Sequence, residues 1–257
     1  MKFETHIPNE ALRPYVKALV ISEQAGGQVY TVLPDTSLVI GIQYRGGLSL
    51  QRDGQFIRLD SSGITGLQDR FNIFKNESDT SSVLIYFTPT GASAFLAGAT
   101  YSVFGESVGL EELFSRSLVE KLREELSVSS NDTDRILTVE RFLLSALKRR
   151  ETDPLINESI RIITRSNGLI RINELYNKLH ISASPFEKRF RSVVGATPKK
   201  FVSIVRLKST LALYPRANSL TDLAHRAGYY DQAHFIHQFG KMTGQTPHLY
   251  FSSLRKG

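Results

Sequence analysis

At 257 residues, with 41% hydrophobic and 22% charged residues, the chain has the make-up of a soluble globular protein long enough for two domains. It has no cysteine, which excludes disulfides, thiolate metal sites and cysteine nucleophiles. No apolar run nears the 18 or so residues of a bilayer span, and Met1-Lys2-Phe3-Glu4-Thr5-His6 opens no signal peptide, so a cytoplasmic, membrane-free protein is expected.

From about residue 28 to 89, short apolar or alternating segments are broken by turn residues. Gln28 to Leu33, Ser37 to Tyr44, Gln55 to Leu59, Arg70 to Lys75 and Val83 to Phe87 read as strands. Pro34-Asp35, Gly46-Gly47, Asp53-Gly54 and Ser61-Ser62-Gly63 punctuate them, and Asp53-Gly54 is the best hairpin signal. Regular strand spacing favours an all-β barrel or sandwich. Tyr30, Gln43, Tyr44, Arg45, Arg70, Asn72 and Tyr86 lie near these strands as pocket candidates, though alternation alone does not assign the inner face.

After Pro89 the pattern becomes helical. Gly91 to Leu96 predicts a short helix, Leu110 to Leu126 a second, and Asp134 to Arg149 a third with Ile136, Leu137, Phe142, Leu143, Leu144 and Leu147 largely on one side. These stripes need a surface to cover, either the barrel or a second subunit in a homodimer. Lys148 to Thr152 is the expected linker. Asp153-Pro154 reads as an N-cap with proline at the first helical position, so the division is an N-terminal sensory or regulatory domain, 1–150 (β-rich core about 1–89, helices about 91–150), and a C-terminal domain, 151–257.

The C-terminal part carries 16 Lys and Arg against 7 Asp and Glu, whereas residues 1–150 carry 16 against 18. Basicity confined to one part points to a polyanion-binding module beside a part with another task. That basic part also repeats itself. Phe186, Phe190, Gly195, Thr197, Pro198 and Phe201 recur 49 positions later as Phe235, Phe239, Gly244, Thr246, Pro247 and Tyr250, while Ile172, Leu175 and Leu179 recur 48 positions later as Leu220, Leu223 and Ala227. The extra residue falls in the turn. Each copy reads as a short helix, a tight turn and a second helix with two buried aromatics four apart: a duplicated helix-turn-helix, whose second helix suits a DNA major groove.

In the second copy, Ser219 with Asp222 opens the helix Leu220 to Arg226, Gly228 makes the turn, and Asp231 caps the helix Gln232 to Lys241. With Phe235 and Phe239 inward, Gln232, Ala233, Ile236 and His237 are left to the groove. Gln232 is the best base reader, since an amide bonds an adenine edge bidentately. In the first copy the recognition helix starts either behind Ser182 or two residues later, where Ser184-Pro185-Phe186-Glu187 reads as a capping box. Candidate base readers are therefore Gln232, Ala233 and His237, with Ser184, Glu187 and Lys188 in the first unit. Candidate backbone contacts are Ser182, Arg191, Lys199, Lys200, Arg206, His234, Lys241 and Thr246. Thr197-Pro198 opens a helix, Lys199 to Leu213, that joins the units at a fixed spacing.

The run Ala227-Gly228-Tyr229-Tyr230-Asp231-Gln232-Ala233-His234-Phe235 to Phe239, then Thr243-Gly244-Gln245-Thr246-Pro247 and Tyr250, resembles the signature of the AraC/XylS family of bacterial transcriptional regulators, over roughly residues 155 to 253. The resemblance implies an α+β two-domain protein: a C-terminal pair of helix-turn-helix units joined by a long helix, and an N-terminal domain, often a cupin-like barrel followed by dimerising helices, that senses a small molecule or a partner. It implies double-stranded promoter DNA as partner, RNA polymerase as a candidate partner, an activating role, no cofactor and no enzyme activity. Tyr176 stands where the family usually has a small residue, Ser184-Pro185 replaces a polar or basic pair, His237 replaces a frequent Arg and Gly240 a common Lys.

Three rivals are weaker. A metal-dependent barrel enzyme would have to rely on carboxylate ligands, because only His6 of six histidines precedes residue 180. The DNA-repair branch of the family accepts a methyl group on a cysteine that this chain lacks. A regulator acting through proteins with weak DNA binding would show a flat salt dependence.

Overall fold

The computed structural model describes residues 1–96, 99–148 and 152–254. Ten strands come first: β1 Lys2–His6, β2 Val16–Gln24, β3 Gln28–Val32, β4 Val39–Arg45, β5 Leu48–Arg52, β6 Gln55–Arg58, β7 Ser62–Thr65, β8 Asn72–Asn76, β9 Thr80–Phe87 and, after helix α1 (Ser93–Leu96), β10 Ser107–Gly109. They form two antiparallel sheets, one in the order β1-β2-β9-β4-β7-β10 and one in the order β3-β8-β5-β6. The helices follow as α2 Arg116–Val128, α3 Asp132–Ala146, α4 Pro154–Arg165, α5 Ile172–Lys178, α6 Ala183–Val194, α7 Pro198–Leu213, α8 Leu220–Arg226, α9 Gln232–Thr243 and α10 Pro247–Leu254. The architecture is thus a β-rich N-terminal domain followed by an all-helical C-terminal region. No helix of the described residues is long and apolar enough to cross a membrane.

Strand alternation gives the larger sheet two different faces. Leu19 and Ile21 of β2, Ile40 and Ile42 of β4, Ile64 of β7, and Val83, Ile85 and Phe87 of β9 are fully buried in one core with Phe95, Leu122, Leu126, Val139 and Leu143. Ser22 and Gln24, Gly41 and Gln43, Ser82 and Tyr86 alternate with them and face the smaller sheet across a cavity. The stripes on α2 and α3 therefore cover the sheet. Leu147 packs there too, while Leu137 and Leu144 stay exposed on the far side of α3.

Several elements differ from the sequence-based expectation. Strands β1, β2, β5, β7 and β10 were not expected; β2 is buried on both faces, so its apolar run lacks alternation. Ser62 and Gly63 belong to β7 instead of a turn. A Cβ on Gly63 would lie 2.8 Å from the Val108 carbonyl oxygen, so this glycine permits close strand approach. Asp53 and Gly54 do turn the β5–β6 hairpin, both at positive φ, as a two-residue turn of that hand requires. The helix expected at Leu110–Leu126 is instead a single 3-10 turn, Leu110–Glu112, then α2, because Phe114 turns inward to pack 5.5 Å from the Phe142 ring. α3 starts two residues early, its end capped by Asn131, which accepts the Asp134 N–H. Asp153 caps α4 as expected, while Arg149, Arg150 and Glu151 of the expected linker lie outside the described residues.

The core does not break between the two parts. The cluster under the sheet continues through Ile156, Ile163 and Leu175 into Phe186, Phe190 and Phe201, whereas Leu223, Tyr229, Phe235, Phe239 and Phe251 form a separate one.

Candidate nucleic-acid interface

The second unit is built as its sequence predicts. Ser219 accepts the Asp222 N–H at 3.0 Å to start α8, Gly228 turns the chain at φ +70°, and Asp231 accepts the His234 N–H at 2.7 Å to start α9. Phe235 and Phe239 are fully buried, 5.5 Å apart, and Tyr229 and Phe251 complete their packing. The opposite face is left to solvent: Gln232, Ala233, Ile236 and His237 are all exposed, as is His234, whose ring meets Tyr229 edge-on. Gly244 ends α9 in the left-handed conformation. Thr246 then accepts the Leu249 N–H at 3.5 Å, which makes it a helix cap.

The first unit follows this pattern with one residue fewer in its turn. His180, at φ +50°, takes the place of Gly228, and the bond from Ile181 N to Tyr176 O matches that from Tyr229 N to Ala224 O. The extra residue of the second copy is therefore Tyr230, which is 93% exposed at the foot of α9. α6 starts behind Ser182, the earlier of its two expected starts, although the Ser182 side chain makes no capping bond. Pro185 sits in the first turn, where its missing N–H leaves no helical bond unmade. Ser182, Ser184 and Lys188 are exposed, and Lys188 has no ion-pair partner among the described residues. Glu187 differs. Its two oxygens accept from the Tyr176 hydroxyl and the Arg191 guanidinium, both at 3.0 Å, so its acceptor capacity is turned to its own unit. The same bond accommodates Tyr176 at the helix crossing, its ring 5.5 Å from Phe186.

Between the units runs α7, about 24 Å long at 1.5 Å per residue. Lys199 at its start is exposed and has no ion-pair partner among the described residues. Arg206 bonds the Gly168 carbonyl through two nitrogens and stacks near Tyr229, so it braces the units against each other. Arg171, Lys199, Arg206 and His234 line one open cleft of about 770 Å³ between the units.

The remaining candidate cations, Arg191, Lys200 and Lys241, meet the N-terminal domain, as does Lys208. Lys200 pairs with Asp69 at 3.2 Å and lies over the Phe104 ring, and Lys241 approaches the same carboxylate at 3.9 Å. Lys208 bonds Asp35 at 2.7 Å, and Arg191 lies over Tyr101. The two C-terminal glycines of α6 and α9 are touched as well: a Cβ on Gly195 would lie 2.7 Å from the Thr100 carbonyl oxygen, and one on Gly244 2.8 Å from the Phe71 ring. Burial pushes the Asp69 and Asp35 carboxyls up, but the ammonium hydrogen bonds and charges of Lys200 and Lys208 outweigh it and hold both below the usual carboxylate value. None of these acidic and aromatic partners carries a signal in the sequence, because each contact joins residues more than 80 positions apart.

A cavity of about 470 Å³ lies between the two sheets, lined by Tyr30, Gln43, Gln68, Asn72, Phe74 and Tyr86 among others. Four of the seven pocket candidates, Tyr30, Gln43, Asn72 and Tyr86, line it. Tyr44 instead bonds Glu23 and stacks under Arg135, Arg45 pairs with Asp79, and Arg70 with Asp69.

A helix-turn-helix domain family matches residues 175–253. Among solved structures, ToxT from Vibrio cholerae is 12% identical, with a TM-score of 0.45 over 93% of this chain and 97% of its own. A xylose-binding transcription activator, xylR, is 25% identical, with a TM-score of 0.35 over 40% of this chain and 27% of its own. The AraC-like transcriptional activator CuxR is 16% identical, with a TM-score of 0.31 over 76% and 78%. No curated protein matches the chain.

Proposed function

We propose, from the premise that residues 175–253 are an AraC-type helix-turn-helix domain, that this chain is a sequence-specific transcriptional activator whose DNA binding is controlled by a ligand held between the sheets of its N-terminal domain. One observation carries the DNA reading: α9 stands on a buried aromatic stripe and turns a face of Gln232, Ala233 and His237 outward at its N-terminal end. Gln232 and His237 read bases there, while Ser182, Ser184, Lys188 and Lys199 hold the first unit on the backbone and its adjoining bases. Arg191, Lys200, Arg206, His234, Lys241 and Thr246 serve the phosphates, some only after rearrangement.

Control follows from charge. Lys200 and Lys241 are committed to Asp69 and Lys208 to Asp35, so DNA and the N-terminal domain compete for the same cations. A homodimer through the exposed Leu137 and Leu144 of α3 would bring two DNA-binding domains to one promoter, where RNA polymerase is the partner that activation requires. Selection of duplexes from a random library, followed by transcription from the selected site with and without the protein, tests the reading. An enriched site that raises transcription is expected; no enrichment over random DNA would defeat it.

A further inference from the structure

The inter-sheet cavity has an unusual charge balance. Amides, hydroxyls and phenols line it together with the apolar side chains of Leu33, Phe74 and Leu84, but no Lys, Arg or His does. Among the described residues Asp35 is the only lining residue with a charged side chain, and Met1, which bears the α-ammonium of the chain, lines the cavity as well. No lining side chain offers a bound carboxylate or phosphate a cation, whereas Asp35 offers an ammonium a carboxylate partner. Tyr86 and Tyr30 line the same cavity; burial, and after it the Asp35 charge, pushes the Tyr86 hydroxyl up, and Tyr30 stacks on Phe74 with centroids 6.0 Å apart. A cavity lined by one acid and several aromatic side chains suits an ammonium group. Gln68, also in the lining, is 8% exposed and its Nε2 has no hydrogen-bond partner among the described residues, so it offers a donor to an acceptor on the same ligand.

Resting on the reading of this cavity as the sensory site, we propose that its ligand is a small organic amine, with the ammonium at Asp35 and an apolar body bearing a hydrogen-bond acceptor between the sheets. The position of Asp35 then links the ligand to DNA. Its Oδ2 accepts from Lys208 of α7 at 2.7 Å, with Lys17 farther off, and Oδ1 accepts the Ser37 N–H. A ligand ammonium arriving at Oδ2 takes the place of Lys208, which is 40% exposed and passes readily into water. Asp35 keeps a partner throughout, and α7, the helix joining the two recognition units, loses one of its tethers. By linkage, the amine and DNA favour each other.

Three fluorescent probes with one body and different charges test this on the full-length protein: dansylcadaverine (ammonium), dansylamide (neutral) and dansylglycine (carboxylate). Dansylcadaverine is expected to bind at least tenfold more tightly than dansylglycine, with dansylamide between. Asp35→Asn, at a side chain 45% exposed where the fold tolerates it, should bring dansylcadaverine to within about threefold of dansylamide. Leu84→Trp, which fills the cavity, should abolish binding of all three. Equal affinities for the ammonium and carboxylate probes, both blocked by Leu84→Trp, would overturn the amine assignment and leave the cavity as the site. Persistence of the preference in Asp35→Asn would overturn the role of that acid. Failure of all three probes to bind the wild type would overturn the cavity reading itself.

Discussion

Replacing Asp69 by Asn removes one charge, keeps the side-chain shape, and frees two lysines of the DNA-binding region. Asp69 is 21% exposed and its partners Lys200 and Lys241 are 39% and 48% exposed, at 3.2 and 3.9 Å. Exposed pairs contribute roughly 0.2–1 kcal/mol each, so two pairs on a largely buried carboxylate sum to about 1–1.5 kcal/mol. If that free energy holds the lysines from DNA, the full-length protein should bind a selected duplex about five- to tenfold more tightly at low salt. The salt dependence should change too. Two more phosphates neutralised steepen the slope of log K against log salt by up to about 1.8. Anisotropy titrations of labelled duplex at four salt concentrations measure both quantities. Asp79→Asn is the control, since Asp79 pairs with Arg45 of its own domain. An Asp69→Asn protein with unchanged affinity and slope, or one matched by Asp79→Asn, would refute the competition.

Gln232→Ala should relax base preference at one part of the selected site by about 1–3 kcal/mol, whereas Lys188→Ala should weaken specific and random duplexes alike; equal losses of specificity in parallel site selections would give the first unit a reading role. On α3, Leu143→Ala should destabilise the protein by about 2–5 kcal/mol in urea unfolding, because Leu143 is fully buried. Its neighbour Leu144 is 43% exposed, so Leu144→Glu should keep the fold and shift sedimentation from dimer to monomer; a monomeric wild type at micromolar concentration would remove the dimer. Asp69 has a depressed folded pKa, so its contribution is fully present above the ordinary carboxylate value of about 3.9 and is lost as pH falls through the depressed one. The stability gap between wild type and Asp69→Asn should accordingly stay constant from neutral pH to about 5 and close in stronger acid; a gap constant throughout would assign it to something other than the ion pairs.

The helix-turn-helix units were legible because their rules are local. Caps at Ser219 and Asp231, aromatics four apart and glycines at positive φ each act within a few residues. Even the position of the extra residue followed, and the matching turn bonds identify it as Tyr230. Much of the β-rich domain was less legible. β2 is hidden by burial on both faces, and Gly63 looks like a turn until the Val108 carbonyl beside it is seen. Tyr30, Gln43, Asn72 and Tyr86 were among the pocket candidates, but alternation did not assign the inner face; it is the polar one, since the helices take the Ile and Val face as their core. The contacts of Asp69, Asp35, Phe71 and Thr100 with the C-terminal region could not be read at all, since no local pattern couples residues so far apart.

The salt dependence of binding to duplex DNA tests the account most directly. Lys188 and Lys199 have no ion-pair partner among the described residues, and the proposed release by the N-terminal domain would add Lys200, Lys208 and Lys241. Four phosphates neutralised give a log–log slope of about −3.6, and five about −4.5, for the full-length protein on its selected site. An affinity that stays flat across the same range of salt would contradict the assignment of this chain as a direct DNA-binding regulator.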